Sequence, residues 1–364
     1  MKIGTPREVF EGESRVAMTP DSALQLQKLG FDCVVETGAG SAAGFSDEAY
    51  VAAGVEIAAT AAALWKTADV VAKVRPPNDT EAKRLKKSQT LISFFWPAQN
   101  EQQMGLLAKK GTSVIAMDMV PRISRAQSMD VLSSQSSLTG YKAVIDGAAN
   151  YGKAMPMLMT AAGRINPAKV FVMGAGVAGL QAIATARRLG AIVSATDVRA
   201  ASREEVQSLG ASFIMVETDE GETGQTAGGY AKEMSEDYKR RQAELIADHI
   251  KDQDIVITTA LIPGRPAPIL VNDDMIASMK PGAVIVDITA EQGGNVSQTR
   301  PGEIHVTGNG VKILAEYNLP SRLATDSSAL YARNLMNFVE LLVNLVAVEQ
   351  GNARILVFLN PLCV

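Results

Sequence analysis

Residues 169–197 read KVFVMGAGVAGLQAIATARRLGAIVSATD, and their types and spacing suit one kind of chemistry. Three glycines, Gly174-Ala-Gly176-Val-Ala-Gly179, follow an apolar run at 169–173 and lead into a helical stretch that Gly190 stops. The first glycine allows a tight turn and the second lets backbone approach a pyrophosphate. The third lets the helix lie close to its strand. The opening turn of that helix, Val177, Ala178 and Gly179, supplies amide donors to phosphate oxygens. A bare GxGxxG is weak evidence, but here a second apolar run, 192–196, ends on an acid, Asp197. Strand, glycine turn, helix and acid-terminated strand together specify a dinucleotide site. A carboxylate at Asp197 accepts hydrogen bonds from the adenosine ribose hydroxyls and repels a 2′-phosphate. Beyond Val198, Arg199 argues the other way, since a guanidinium accommodates that phosphate. With the acid placed first, the reading is NAD(H) over NADP(H).

The elements that must hold this unit come next. A chain of 364 residues is long enough for two domains with their own cores. Lys+Arg 35 against Asp+Glu 39 gives no basic excess, which argues against a nucleic-acid partner. Cys33 and Cys363 make neither a disulfide framework nor a metal cluster, and a reducing compartment is expected. Met1 leads directly into a strand-like start at 2–6, without the pattern of a signal or transit peptide. No apolar run reaches the roughly 18–20 residues that span a bilayer. The greasy stretch 335–348 is interrupted by Asn337, Glu340 and Asn344 and reads as a packed helix. The apolar tail 355–364 reads as an edge strand or as a segment that continues in a longer protein.

Strand-like runs at 2–5, 33–36, 70–74, 90–95 and 113–118 alternate with helical patterns near 20–29, 47–53, 79–87 and 101–110. That rhythm predicts a doubly wound parallel sheet. The glycines at 38, 40 and 44 have the wrong spacing for a second nucleotide loop and read as an ordinary turn. After the glycine-loop unit, Ser202-Arg-Glu-Glu205 predicts a capping box opening the next helix, with a strand at 212–217. An acidic, Gly-rich stretch at 218–229 cannot build core and reads as a connection or a lid. A polar helix at 231–250, strands at 254–259 and 283–288, and a tight turn at Asn309-Gly310 complete this domain. Helical patterns at 133–150 and 327–348 read as two helices crossing between domains. The expected boundaries are 1–132 plus 322–364 for the first domain and 133–321 for the second, with the cleft between them as the ligand site.

Several segments carry a resemblance. They are Pro6-Arg-Glu, Arg15-Val-Ala, Pro121-Arg-Ile-Ser-Arg-Ala-Gln-Ser-Met-Asp130, Ser133-Ser-Gln, Thr226-Ala-Gly-Gly-Tyr-Ala-Lys-Glu-Met234, Thr258-Thr-Ala-Leu-Ile-Pro-Gly264 and Asp287. Together they make the chain resemble, over nearly its whole length, the NAD(H)-binding component (domain I, alpha subunit) of proton-translocating NAD(P) transhydrogenase. Alanine dehydrogenase shares that fold. The resemblance implies an α/β architecture of two doubly wound parallel-sheet, Rossmann-like domains joined by two crossing helices. It implies NAD(H) bound here and NADP(H) on a partner component, with domain III and the membrane domain II as partners and a second copy in a homodimer. The chain would then sit on the cytoplasmic or matrix side of an inner membrane, held there by those partners. By resemblance, Arg122, Asp130 and Ser133 hold the nicotinamide and its carboxamide, and Gln127 faces the NADP(H)-carrying component. Gly229 and Tyr230 belong to the family's mobile loop, which closes over the nucleotide. Ala260 and Leu261 follow a strand end and line the cofactor cleft. The plainer readings are helix caps and surface polar groups for 122–133, a disordered insertion for 218–234 and turn chemistry for 260–264.

The related dehydrogenases must be separated on chemistry. Oxidising an amino acid needs a group for the carboxylate and an acid or base for the proton that moves beside the hydride. Those enzymes use a Lys in a Lys-x-Lys-x-Pro strand end and a His in a Phe-x-His segment. The matching stretches here are Lys73-Val-Arg75-Pro76 and Ser93-Phe-Phe-Trp96-Pro97. Arg75 stays protonated and cannot act as a base, and Trp96 stands where the histidine would. Glu291 is kept, but alone it makes no proton relay. His249 and His305 read as surface or packing histidines. Arg15 matches the dehydrogenases' substrate-carboxylate arginine, and it is open between that role and bridging the domains. Hydride transfer between two nicotinamides needs no such proton, only two C4 atoms held about 3–3.5 Å apart. The residues therefore suit transhydrogenation, with Gln127, Arg122 and Asp130 as the catalytic set. A free-standing NAD-dependent alanine dehydrogenase-like enzyme is the alternative. The 122–133 cluster argues against a third reading, a redox-sensing NAD-binding module without catalysis.

Overall fold

The computed structural model describes residues 1–216, 235–261 and 266–351. The chain divides into two compact units, Met1–Gln135 with the chain from Leu323 onward, and Ser136–Arg322.

In the first unit the order is β1 (Lys2–Thr5), α1 (Pro20–Lys28), β2 (Asp32–Glu36), α2 (Asp47–Ala52), β3 (Glu56–Ala58) and α3 (Ala61–Thr67). Then come β4 (Val70–Ala72), α4 (Asp79–Arg84), β5 (Thr90–Ser93), α5 (Glu101–Lys110) and β6 (Ser113–Ala116). The six strands pair in parallel in the order β3-β2-β1-β4-β5-β6. A parallel sheet is covered on both faces, so its strands read as unbroken apolar runs. Ile3, Val35 and Ile92 pack on one face with Leu26, Tyr331 and Leu335. Val34, Val71 and Leu91 pack on the other with Leu64, Trp65 and Leu107. Two helices start at capping boxes, Thr19 with Ser22 for α1 and Asn78 with Glu81 for α4. Each box satisfies amides that the first turn leaves without partners.

Helix α6 (Val131–Asn150) begins in the first unit and ends in the second. A short antiparallel hairpin, β7 (Leu158–Thr160) and β8 (Gly163–Ile165), precedes the second sheet. There follow β9 (Lys169–Met173), α7 (Val177–Arg188), β10 (Ile192–Thr196), α8 (Ser202–Ser208), β11 (Ser212–Phe213) and α9 (Glu236–Ile250). The unit continues with β12 (Ile255–Thr258), α10 (Asp273–Ser278), β13 (Val284–Asp287), β14 (Ile304–Val306) and β15 (Lys312–Leu314). Helix α11 (Ala324–Gly351) belongs to the first unit. The sheet order is β11-β10-β9-β12-β13-β15-β14, parallel except for the β14–β15 hairpin. Both sheets thus place their first strand centrally and reverse their winding between their first and fourth strands. Doubly wound sheets bind ligands beyond the strand ends at that reversal.

Several local features differ from the sequence reading. Strand β3 and helix α3 were not foreseen, because the Ala-rich run at 57–63 shows no clear period of 2 or 3.6. The start of α3 is fixed by the Thr60 hydroxyl accepting from Ala63 N, and by burial of Leu64 and Trp65. The expected capping box at Ser202 is overturned. The cap position is Ala201, in helical conformation, and Ser202 already lies inside α8 and is buried. A turn at 199–202, in which Ser202 N donates to Arg199 O, starts the helix instead. Strand β11 is shorter than 212–217, because the Gln242 side chain takes the Val216 amide at 2.9 Å. The turn at Asn309-Gly310 joins β14 to β15, with Gly310 at φ +86°. Among the described residues, no helix is long and apolar enough to cross a membrane.

One close approach makes a direct test. A Cβ built on Gly140, in the middle of α6, would overlap the backbone carbonyl of Ala178 at the start of α7. Gly140→Ala is expected to cost about 1–3 kcal/mol of stability through overpacking. Gly105→Ala, on exposed α5 with no atom within 4 Å, is expected to gain about 0.5–1 kcal/mol from helix propensity. Urea denaturation of both variants checks this, and equal shifts would contradict the contact.

Candidate functional site

The glycine loop follows buried β9. Gly174 has φ +109°, a left-handed backbone that side chains rarely adopt, and its amide donates to Thr196 O at 2.8 Å. A Cβ on Gly179 would overlap the Gly174 carbonyl oxygen, so that glycine is what lets α7 sit on the loop. Gly176 forms the N-cap of α7. The cap makes no side-chain hydrogen bond, and the first turn carries no acid. The positive end of the helix is therefore not neutralised by its own residues and suits an anion. Gly176 and Val177 are exposed, Ala178 is half-buried and Gly179 is buried.

Asp197 closes the loop from the next strand, accepting from Ala175 N at 2.8 Å through Oδ2. Arg199 covers the same carboxylate. Its backbone N and Nε donate to Oδ1 at 2.8 and 2.9 Å, and its Nη2 donates to Oδ2 at 2.9 Å. Expected to be rivals over a 2′-phosphate, these two side chains are partners in the structure. A carboxylate offers about four acceptor positions, so ribose hydroxyls at Asp197 would have to replace bonds from Arg199. Val198, between them, is partly exposed.

On the other side of the loop, Thr259 Oγ1 donates to Gly174 O at 3.0 Å, and Asn295 brackets the Ala260 peptide. Leu261 is exposed. The structure thus brings Gly174, Gly179, Asp197 and Ala260 together around one loop in the second unit. Sequence reasoning missed Thr259 and Asn295, although Thr259 stands in the 258–264 motif. Gly229 and Tyr230 lie outside the described residues, as does the rest of the 218–229 stretch.

In the first unit, Arg122, Gln127, Asp130 and Ser133 cluster around a 3-10 turn, Ser124–Met129, that runs into α6. Asp130 accepts from Ser133 N at 2.9 Å and Ser133 Oγ at 2.6 Å, and Arg122 Nε lies 4.0 Å from its carboxylate. Asn334 and Asn337 of α11 both donate to Ser128 O, at 2.8 and 2.9 Å, and anchor the turn. The helix-cap reading of Asp130 is therefore real. It leaves Gln127 exposed at the tip of a braced turn.

The strand ends β1 and β4, at the reversal of the first sheet, carry a buried network of three acids and three bases. Lys73 Nζ lies 2.6 Å from Glu81 and 3.1 Å from Glu8. Glu13 takes Arg15 Nε at 2.7 Å, Arg15 Nη2 at 2.6 Å and Arg75 Nε at 2.8 Å. Arg15 also donates to Gln135 Oε1 at 2.8 Å, so these partners all lie in its own unit. The Arg75 guanidinium rests over Phe10, 4.6 Å from the ring centroid, with the Trp96 ring at 5.9 Å. Trp96 has φ +45° and is held there by Asp118, whose carboxylate accepts from Phe95 N and Trp96 N at 2.6 and 3.0 Å. Glu291 accepts from Asn318 N at 2.8 Å. His249 packs edge-on against Phe171 and bonds Ser194 Oγ at 2.8 Å, in keeping with a packing role.

Burial pushes the Glu13 carboxyl up, but the hydrogen bonds and charge of Arg15, with the charge of Arg75, outweigh it and hold it at about 2 against an ordinary 4.5. A depressed carboxylate contributes stability above its unfolded pKa and loses it as pH falls through the folded one. Glu13→Gln is therefore expected to lose about 3–5 kcal/mol at pH 7, the cost of breaking a buried pair. The gap to the unsubstituted chain should narrow as pH falls from 4.5 toward 2. Denaturant titrations at several pH values check it, and a gap independent of pH would refute the assignment.

Comparison with known proteins agrees with this geometry. The family description "Alanine dehydrogenase/PNT, N-terminal domain" matches residues 4–139, and "Alanine dehydrogenase/PNT, C-terminal domain" matches 143–357. The chain is 56% identical over 339 residues to NAD(P) transhydrogenase subunit alpha of Cereibacter sphaeroides, covering 93% of this chain and 65% of that one. It thus spans less than two thirds of that relative's length. It is 51% identical over 344 residues to a NAD(P) transhydrogenase subunit alpha chain of Rhodospirillum rubrum, covering 93% of this chain and 89% of that one. The solved structure of transhydrogenase from Sinorhizobium meliloti superposes with a TM-score of 0.86 at 49% identity, covering 95% of this chain and 94% of that one. By both halves of its length, the chain belongs to the alanine dehydrogenase/PNT family.

Proposed function

We propose that this chain is the NAD(H)-binding subunit of a proton-translocating NAD(P) transhydrogenase. It presents NADH for direct hydride transfer to NADP+ on a partner component. The observation that carries the choice over a free-standing alanine dehydrogenase is the state of Arg75 and Trp96. Arg75 is spent on Glu13 and cannot release a proton, and Trp96 has no titratable group. Hydride transfer between two nicotinamide rings asks only for placement.

The residues present fit the nucleotide. Amides of the Gly174, Gly176, Val177, Ala178 and Gly179 turn hold the pyrophosphate, and Asp197 orients the adenosine ribose, flanked by Val198 and Arg199. Ala260 and Leu261 line the same loop, and Gly229 and Tyr230 join by family resemblance. Arg122, Asp130 and Ser133 hold the nicotinamide carboxamide, and exposed Gln127 meets the incoming component. When bound, NADH supplies the hydride from its nicotinamide C4. The partners are the NADP(H)-binding domain III, the membrane domain II that carries protons, and a second copy of this chain. The subunit lies on the cytoplasmic or matrix face of the membrane and is attached to it through those partners.

Two outcomes test this. With the NADP(H)-binding component added, NADPH should reduce an NAD analogue, while pyruvate and ammonium should leave NADH unoxidised. Gln127→Asn should slow the first reaction roughly ten- to a hundred-fold by misplacing the rings, with NADH affinity nearly intact. Rapid alanine formation by the chain alone would overturn the reading. Separately, NADH should bind far better than NADPH. Asp197→Ala should narrow the ratio of their dissociation constants, measured by fluorescence titration so that any unfolded fraction cancels. An unchanged ratio would remove Asp197 from cofactor choice.

A further inference from the structure

Beside the glycine loop lies a buried polar assembly that the proposed chemistry does not use. Asp287, at the end of β13, is 1% exposed. Its Oδ1 accepts from Thr258 Oγ1 at 3.2 Å, Thr289 N at 3.0 Å and Thr289 Oγ1 at 2.8 Å. Its Oδ2 accepts from Asn295 N at 2.8 Å and from the Thr299 hydroxyl. Gly294, at φ +85°, passes directly over this carboxylate, where a Cβ would sit 2.6 Å from Oδ2. Five donors converge on one buried carboxylate, and only a glycine lets the chain close around it. The result is a rigid base for the next residue.

That residue, Asn295, is 0% exposed. Its Oδ1 accepts from Ala260 N at 3.0 Å, and its Nδ2 donates to Ala260 O at 2.9 Å and to Pro268 O at 2.8 Å. Both hydrogens of the amide and its oxygen are engaged. The backbone carbonyl of Asn295 accepts from Leu270 N and Val271 N at 2.7 and 3.1 Å. The side chain therefore acts as a one-residue strand. It grips both sides of the Ala260 peptide just past the end of β12, where Thr259 reaches Gly174. No other side chain offers a donor and an acceptor at this reach, since aspartate would set a carboxylate against two carbonyl oxygens and glutamine is one methylene too long.

We infer that Asn295 is a positioning residue for the nucleotide, acting through Ala260 to set exposed Leu261 and, through Thr259, the far wall of the glycine loop. Asp287 is its anchor. This rests on the reading that NAD(H) binds at that loop. The test measures NADH dissociation constants and melting temperatures for the unsubstituted chain, Asn295→Ala and Val296→Ala. Val296 is the buried neighbour, 1% exposed, and has no part in the loop. Asn295→Ala should weaken NADH binding roughly tenfold, the scale of lost buried hydrogen bonds. Val296→Ala should leave affinity within about twofold at a similar melting temperature. With the NADP(H)-binding component present, Asn295→Ala should raise KM for NADH and leave kcat nearly unchanged. If Asn295→Ala does not fold, Asn295→Ser, which keeps one polar atom, gives the same comparison. Equal affinities for the Asn295 and Val296 variants would overturn the inference while leaving the nucleotide site intact. No NADH binding by the unsubstituted chain would overturn both.

Discussion

The space around the Gly174 carbonyl oxygen constrains everything else in the second unit. Gly179 can approach it only because it lacks a Cβ, and Thr259 donates to it from the neighbouring strand end. That one oxygen therefore sets the distance between α7 and β9 and the seat of the residues after β12. Since the loop must also leave amides open to an anion, no side chain can be added to its inner surface. Gly176, by contrast, has open space around it. Its lack of a side chain keeps the helix start bare, which is a matter of access and not of packing.

The first unit solves an opposite problem at its own sheet reversal. Where the second unit leaves polar backbone exposed to a ligand, the first fills the equivalent strand ends with its own charges. Taking six ionised side chains out of water is tolerable only because acids and bases alternate and are bonded to one another. Glu13 serves two arginines and Lys73 serves two glutamates. Such a network has little freedom to shuttle a proton, since moving one would strand a neighbouring charge. The loss of dehydrogenase chemistry is thus built into the packing as well as into the identities of Arg75 and Trp96.

How far the sequence disclosed this depends on the kind of signal. The β9–α7–β10 unit was legible almost to the residue, since strand ends, glycines and acid each have a local physical requirement. The helices α1, α2 and α5 were legible from capping residues and apolar spacing. Strand β3 and helix α3 were not, because alanine satisfies helix, strand and core alike and leaves no period to read. The start of α8 was misread because a Ser-x-x-Glu pattern fits a cap only if the preceding backbone is extended, and the turn from Arg199 removes that condition. The Asn295 bracket was invisible for a different reason. Its partners lie 35 and 27 residues away, and nothing local distinguishes an asparagine that grips a distant peptide from one in a turn.

The pairing of Asp197 with Arg199 bears on how the proposed cofactor would be chosen. Selection by a carboxylate alone would leave an uncompensated charge at the loop whenever the site was empty, so a nearby cation to cover it is a natural companion. Arg199 makes three of the four bonds to that carboxylate, and Ala175 makes the fourth from the loop itself. Ribose hydroxyls could displace the guanidinium bonds while the Ala175 tie remained, so the loop would keep its shape as the nucleotide entered. A 2′-phosphate would meet a carboxylate that the loop holds fixed and cannot turn away. The same Ala175 bond that preserves the glycine turn would then enforce the preference for NAD(H), and the arginine beside it would not reverse it.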